Sequence, residues 1–469
     1  MEVRGTGVKR GLFRHGTTLM GCAAVLVVLL FSCNSASALP AFARKYGMPC
    51  SSCHEAWPKL SPFGQQFKDN GYQMGNDRDA PIFQSPAYWP VTFRITPIWH
   101  RESTDKVAVD QSTTGEARVT THGFDWSGLD FHTAGTLANN FSFYVLPSSD
   151  NTASFHFESV WARLDNIAGS SWLNFKLGKF ELDNLLSEKR ILTLTNVSGV
   201  YTNYHFQPMS QPGVPENYTF GIGDNQVGAE WMGHSKDDRT RISASLLTAS
   251  DGQPGLPVSR AYNGYFAGSR AFQVGSLGLQ RVGAFAYIGQ APTYFQFTSG
   301  GPSNPIAGTG IGNKGFQRYG LIGMWYIKKF DITTIYFHGH DSAWLGTNTA
   351  ALPGAVLPQG AHAPSWNGGL FESHYNYNPQ LILINRYEMV RMSQQAFGGA
   401  AATEYTPNPG NLGNADVLTF GLRYYPFISS RAGFAYHGEY AIIWQKGTSP
   451  VTFSNQTTSS LLFGFDFAF

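Results

Sequence analysis

Cysteine is scarce in this chain. There are four in 469 residues, and two of them, Cys22 and Cys33, lie in an N-terminal stretch with the marks of a removable leader. The remainder keeps only Cys50 and Cys53, which excludes a disulfide-built scaffold and a four-cysteine zinc site. Charge is also sparse, at 14% Asp, Glu, Lys and Arg, and nearly balanced at 33 basic against 31 acidic residues. Nucleic-acid binding by a basic surface is therefore not expected. Past the leader no apolar run reaches the roughly 20 residues that a membrane helix needs.

Residues 1–38 read as an export signal. Arg4, Lys9, Arg10 and Arg14 form a basic start, Leu19 to Phe31 is apolar, and Ala36-Ser37-Ala38 supplies an A-x-A cleavage site. Leu30-Phe31-Ser32-Cys33 is a loose lipoprotein signal, but Phe31 is bulky for that role, so cleavage after Ala38 is the expectation. Loss of those four basic residues and Glu2 leaves a net charge near −1.

The two remaining cysteines fall in Cys50-Ser51-Ser52-Cys53-His54, the C-x-x-C-H pattern of covalent haem c attachment. Two thiols at this spacing can each form a thioether to the haem edge, and the following His can ligate the iron. A redox dithiol would need a βαβ frame that the pattern does not show, and a disulfide here would close only a tiny loop. Export and covalent haem attachment support each other, because attachment occurs outside the cytoplasm. The haem segment runs from 39 to 87. Ser61-Pro62 predicts a helix start, Phe63, Gln66, Phe67 and Asn70 follow at helical spacing, and Gly71 ends the helix. Phe63 and Phe67 form an i,i+4 ridge able to cover a haem face or to pack on protein. So short a segment cannot enclose a haem by itself.

Residues 88–469 alternate with period two. Leu461, Phe463, Phe465, Phe467 and Phe469 share one face of the last segment, opposite Leu462, Gly464, Asp466 and Ala468. Residues 418–425 and 173–178 repeat the pattern. Apolar-out, polar-in segments of about ten residues predict a transmembrane β-barrel. About 16 are legible, near 88–100, 124–137, 141–149, 153–165, 171–182, 219–233, 239–249, 261–272, 280–290, 316–327, 331–341, 366–376, 380–392, 415–426, 431–445 and 458–469. Short connections, such as 138–140 and 328–329, alternate with long ones at 102–123, 183–218, 291–315, 342–365 and 393–414. The expected fold is thus all-β, a 16-stranded antiparallel barrel in contact with outer-membrane lipid, both chain ends periplasmic, with the helical haem segment in its lumen. A sandwich or propeller would also show many short strands, but with more charge on the face opposite its core.

Ala41-Phe42-Ala43-Arg44-Lys45-Tyr46-Gly47-Met48-Pro49, Cys50 to His54, Pro58-Lys59-Leu60, Phe63-Gly64, Phe67-Lys68 and Gly71-Tyr72-Gln73-Met74 together resemble the fused outer-membrane monohaem cytochrome c–porins of iron-oxidising bacteria. The close match covers about 35 residues; the barrel matches only in size, strand count and its terminal Phe469. The resemblance implies oxidation of extracellular Fe(II), or exchange with another external electron donor or acceptor, and transfer through haem c to a periplasmic carrier. Relatives with this segment also occur in bacteria not known to oxidise iron. Cys50, Cys53 and His54 would hold the haem. Met74, twenty residues after His54, matches the family's Gly-Tyr-x-Met and is the candidate second axial ligand; a packing role is the alternative. A diffusion porin carrying a structural or sensory haem is the competing function. His338 and His340 share a strand face with Tyr336, expected to be the lumen near Asp341 and Glu372, where two imidazoles could hold a divalent metal briefly; polar lining is the plainer reading. His437 and Glu439 repeat that spacing.

Overall fold

The computed structural model describes residues 42, 45–48, 50–56, 59–72, 74, 91–109, 115–149, 155–183, 222, 225–248, 261–292, 312–346, 351, 354–357, 359, 361–378, 380–393, 414–428, 433–446 and 454–468. The leader with its cleavage site, residues 85–89 where the expected haem segment joins the first expected strand, and Phe469 lie outside them.

The N-terminal part holds a one-turn helix α1 (Cys50–Cys53), strands β1 (His54–Ala56) and β2 (Lys59–Leu60), and helix α2 (Pro62–Asp69). Sixteen strands follow in chain order. They are β3 (Val91–Ala108), β4 (Glu116–Ala138), β5 (Phe141–Ser149), β6 (His156–Leu164), β7 (Asn174–Glu181), β8 (Asn225–His234), β9 (Thr240–Thr248) and β10 (Tyr262–Val274). The second half comprises β11 (Gly278–Pro292), β12 (Asn313–Ile327), β13 (Phe330–Asp341), β14 (Ser365–Asn378), β15 (Leu381–Met392), β16 (Asn414–Ile428), β17 (Gly433–Lys446) and β18 (Gln456–Ala468). Each pairs antiparallel with its sequence neighbours, and β18 pairs with β3 through Phe463↔Trp99 and Leu461↔Arg101, so the barrel closes and leaves no edge.

Period-two alternation decides which face goes where. Arg163, Lys176, Glu230, Arg386, Arg423 and Asp466 point inward and are buried, whereas Leu164, Leu177, Leu246, Leu321, Phe420 and Phe463 point outward and are exposed. A belt of exposed Leu and Phe around a closed barrel far exceeds the few hundred Å² of apolar patch that a water-soluble monomer tolerates. With each strand paired to a neighbour on both sides around the ring, the barrel meets the requirement for crossing a bilayer. No helix among the described residues is long and apolar enough to cross a membrane.

All sixteen expected segments are strands, but the first hairpin is taller than the alternation predicts. The expected loop 102–123 is mostly strand, because β3 continues to Ala108 and β4 resumes at Glu116. There Arg101↔His122, Glu102↔Thr121 and Ser103↔Thr120 pair polar with polar. Beyond the bilayer both faces of a hairpin are wetted, so the hydrophobic alternation that marks a strand disappears while the pairing persists. The short turns gather at one end, including 139–140, 235–239 and 328–329, and both β3 and β18 have their chain-terminal ends there.

One expectation about facing is overturned. Tyr336, His338 and His340 lie on the outer face of β13, while Ile335, Phe337, Gly339 and Asp341 face inward. The carboxylates decide the phase. Asp331 and Asp341 share one parity, and a carboxylate facing lipid costs more than an imidazole near the rim. Asp341 inside pairs with Arg318. His437 and Glu439 do face the lumen and are buried.

Candidate functional site

Helix α2 is built as its sequence directs. Ser61 caps it, its hydroxyl accepting from Gly64 N at 3.1 Å, and Pro62 occupies the first turn. The far end closes as a Schellman motif, in which Tyr72 N donates to Phe67 O at 2.9 Å and Gly71 N to Lys68 O at 3.2 Å. Gly71 takes φ +77° and Tyr72 φ +60°. The second value is uncommon for an aromatic residue and is held by packing on both sides. Tyr72 stacks on Phe42 at 5.2 Å and on Trp161 of β6 at 6.1 Å.

The Cys50–His54 turn is clamped to the start of α2. β1 and β2 pair through His54↔Leu60, reversing the chain. Ser61 N then donates to Cys53 O at 2.9 Å, and Ser61 Oγ to Ser52 O at 3.0 Å. Gly64 makes this contact possible, since a Cβ there would overlap the Cys53 carbonyl. Cys53 and His54 are half-buried, and burial pushes the Cys53 thiol up to about 11. The side chain of Cys50 lies outside the described residues.

The ridge of two phenylalanines divides. Phe67 is buried, edge-on to Phe42 at 5.0 Å and Tyr46 at 5.6 Å, whereas Phe63 is 38% exposed. Met74 is half-buried and packs on the cluster that contains Phe67 and Tyr72.

The far end of α2 is fastened to the inner wall near the short-turn end. Arg163 of β6 donates from Nη2 to Lys68 O at 2.9 Å and Asp69 O at 3.4 Å, and from Nε to Asp165 at 2.6 Å. A guanidinium on the last carbonyls of a helix adds donors to the Gly71 N–H already there and sits at the negative end of the helix dipole. Arg241 of β9 joins Asp69 at 2.9 Å to Asp183 at 2.8 Å. Between helix and wall lies a cleft of about 500 Å³, partly open to solvent, floored by Tyr72, Trp161, Tyr144 and Phe180 and edged by Lys68 and Lys176. The sequence reading passes over Arg163, Arg241, Asp69 and Trp161. Trp161, Arg163 and Asp165 do stand at successive inward positions, a parity signal that marks the wall but not what it touches.

Elsewhere the lumen charges are tied to one another. Asp466 accepts from Arg94 at 3.0 Å, Arg423 at 2.8 Å and Thr96 at 3.0 Å, with His437 at 3.6 Å. Glu372 accepts from Arg386 at 2.6 Å and lies 2.5 Å from His374. Among the described residues no group of three or more His, Cys, Asp and Glu side chains is arranged to hold a metal ion.

No protein-family model matches the chain, and no curated protein does. Among solved structures, the chain is similar to an anion-selective porin from Comamonas acidovorans, with 10% identity, TM-score 0.47, and coverage of 81% of this chain and 98% of that one. It is also similar to the outer membrane protein OmpT of Vibrio cholerae, with 9% identity, TM-score 0.43, and coverage of 80% and 99%. A third is the outer membrane channel DcaP of Acinetobacter baumannii, with 10% identity, TM-score 0.42, and coverage of 81% and 99%. These likenesses are to barrels and carry no functional argument. What the chain forms is established by its own strand pairing: a closed, 16-stranded antiparallel barrel with an apolar outer surface.

Proposed function

We propose that this chain is an outer-membrane haem-bearing barrel that carries electrons across the membrane, taking them from extracellular Fe(II) and delivering them to a periplasmic carrier. The observation that carries the reading is the clamped C-x-x-C-H turn on a helix fastened to the inner wall of a closed barrel. Residues 50–74 fit a haem. Cys50 and Cys53 would bear the thioethers, and His54 and Met74, the latter packed on the cluster that includes Phe67 and Tyr72, would hold the iron. Phe63, exposed beside the attachment turn, offers an apolar face for a macrocycle to cover. Haem c, when bound, supplies a one-electron centre.

The remaining roles belong to the protein. Gly64 and Ser61 hold the attachment turn against α2. Arg163, Arg241 and Trp161 hold α2 to the wall at the short-turn end, which is the periplasmic end in barrels of this kind. The wall keeps lipid from the centre, so a water-soluble donor approaches from the long-loop side and the electron leaves at the opposite end. Each turnover moves one electron, Fe(II) becoming Fe(III) outside while the periplasmic carrier is reduced by one. The oxidised metal, prone to precipitate, need not enter the cell.

Rapid mixing of the purified protein with Fe(II) tests this. Reduction of the haem bands on mixing is expected. No reduction would sink the iron reading, and ion conductance across a bilayer without redox change would favour a diffusion porin.

A further inference from the structure

We propose that His338 and His340 form a divalent-cation site on the outside of the barrel, at its long-loop rim. Both side chains are exposed on the same face of β13, near the end of the strand that rises from turn 328–329. Two positions along one strand separate Cβ atoms by about 6.5–7 Å, which lets two imidazoles converge on a single ion.

The neighbouring side chains orient the first ligand. Asn367 Oδ1 accepts from the Tyr336 hydroxyl at 2.8 Å and lies 3.1 Å from His338 Nδ1. A carbonyl oxygen can only accept, so the hydrogen of the imidazole sits on Nδ1 and Nε2 keeps its lone pair. A hydrogen bond of this kind on the non-ligating nitrogen fixes the tautomer and ring orientation of metal-binding histidines.

The surroundings admit an ion from water. His340 stands opposite Gln317 and Ser365, and His338 opposite Tyr319 and Asn367. Tyr319 donates to Gln317 at 2.6 Å, and exposed Arg391 pairs with Asp416 nearby at 2.6 Å. The apolar belt lies lower, at Leu321, Ile332 and Phe371. The site is therefore in the aqueous or headgroup layer, with room for solvent to complete the ion's coordination. Imidazole pairs suit first-row cations late in the affinity series, Ni(II), Cu(II) and Zn(II), ahead of Fe(II). This site is separate from the lumen and does not depend on the haem reading.

Isothermal titration of Ni(II) into the full-length protein in detergent tests the proposal. Wild type is expected to bind one more Ni(II) than His338→Gln/His340→Gln, and each single variant to bind that ion at least tenfold more weakly. Asn367→Leu should weaken it severalfold, while Gln317→Ala leaves it unchanged. Because these side chains point out of the barrel, the variants should retain the gel mobility of the folded barrel. Equal stoichiometry and affinity in wild type and the double variant would overturn the site. Full affinity in either single variant would overturn the two-histidine chelate.

Discussion

Replacing Arg163 with Met tests whether the wall holds the helix. Arg163 is 2% exposed and makes two bonds to the carbonyls that end α2 and one to Asp165. A bond from a charged donor contributes about 1.5–3 kcal/mol, and removing one partner of a buried ion pair costs about 3–5 kcal/mol. Part of that loss falls on Asp165, which belongs to the barrel whether or not α2 is docked. Assigning about 3 kcal/mol to docking, the undocked population should rise roughly 150-fold. Native-state hydrogen exchange in detergent measures this. Amides of Asn70 and Tyr72, bonded to Gln66 O and Phe67 O, should exchange about 150-fold faster, while those of Ala162 and Leu164 in β6 keep their protection. Arg163→Lys, which keeps the charge but cannot fork, should fall between. Unchanged exchange in α2 of Arg163→Met would refute the wall contact as the fastening.

Four further outcomes follow from the same contacts. Cys50→Ala/Cys53→Ala should leave an inserted barrel without covalent haem; haem staining that persists on a denaturing gel would contradict the attachment site. Gly64→Val should push α2 off the Cys53 carbonyl, cost about 2–4 kcal/mol through overpacking and lost Ser61 bonds, and let exogenous imidazole reach the proposed haem, read as a shift of its absorption bands. Asp238, in the turn before β9, is pushed up to about 7 by burial and then by the Asp69 carboxylate. The docked state therefore retains a proton that an exposed Asp would lose near pH 4, and the associated stability is lost as pH rises through about 7. Protection of the α2 amides, taken relative to their intrinsic exchange rates, should fall between about pH 4 and 7 and level off above that, and Asp238→Asn should remove the fall. Removal of Phe469, the terminal residue of the last apolar alternation, should lower the amount of barrel at the cell surface without altering haem attachment, checked by surface labelling and haem staining.

Local pattern was enough for much of this molecule. Ser61, Pro62 and Gly71 mark both ends of α2 because caps and left-handed closures act within a few residues. The alternation from Leu461 to Ala468 tells outward from inward because pleat parity is a property of the strand itself. The barrel was legible for the same reason, as sixteen stretches each carrying one apolar face. Cys50 to His54 is likewise a local pattern, five residues whose spacing leads to the proposed haem attachment.

What escaped the sequence depends on partners distant along the chain. On β13 both parities carry polar side chains, so alternation by itself does not place Tyr336, His338 and His340; the inward demand of Asp331 and Asp341, and the pairing of Asp341 with Arg318, puts the histidines outside. The tall first hairpin hid because wetting on both faces erases the alternation while leaving the Glu102↔Thr121 pairing intact. Fastening α2 to the wall joins Asp69 to Arg241, 172 residues away, and the Lys68 carbonyl to Arg163, 95 residues away. No periodicity encodes such a contact. It exists because closing the barrel brings β6 and β9 around the end of α2, where the Lys68 and Asp69 carbonyls and the Asp69 carboxylate can each accept a further hydrogen bond.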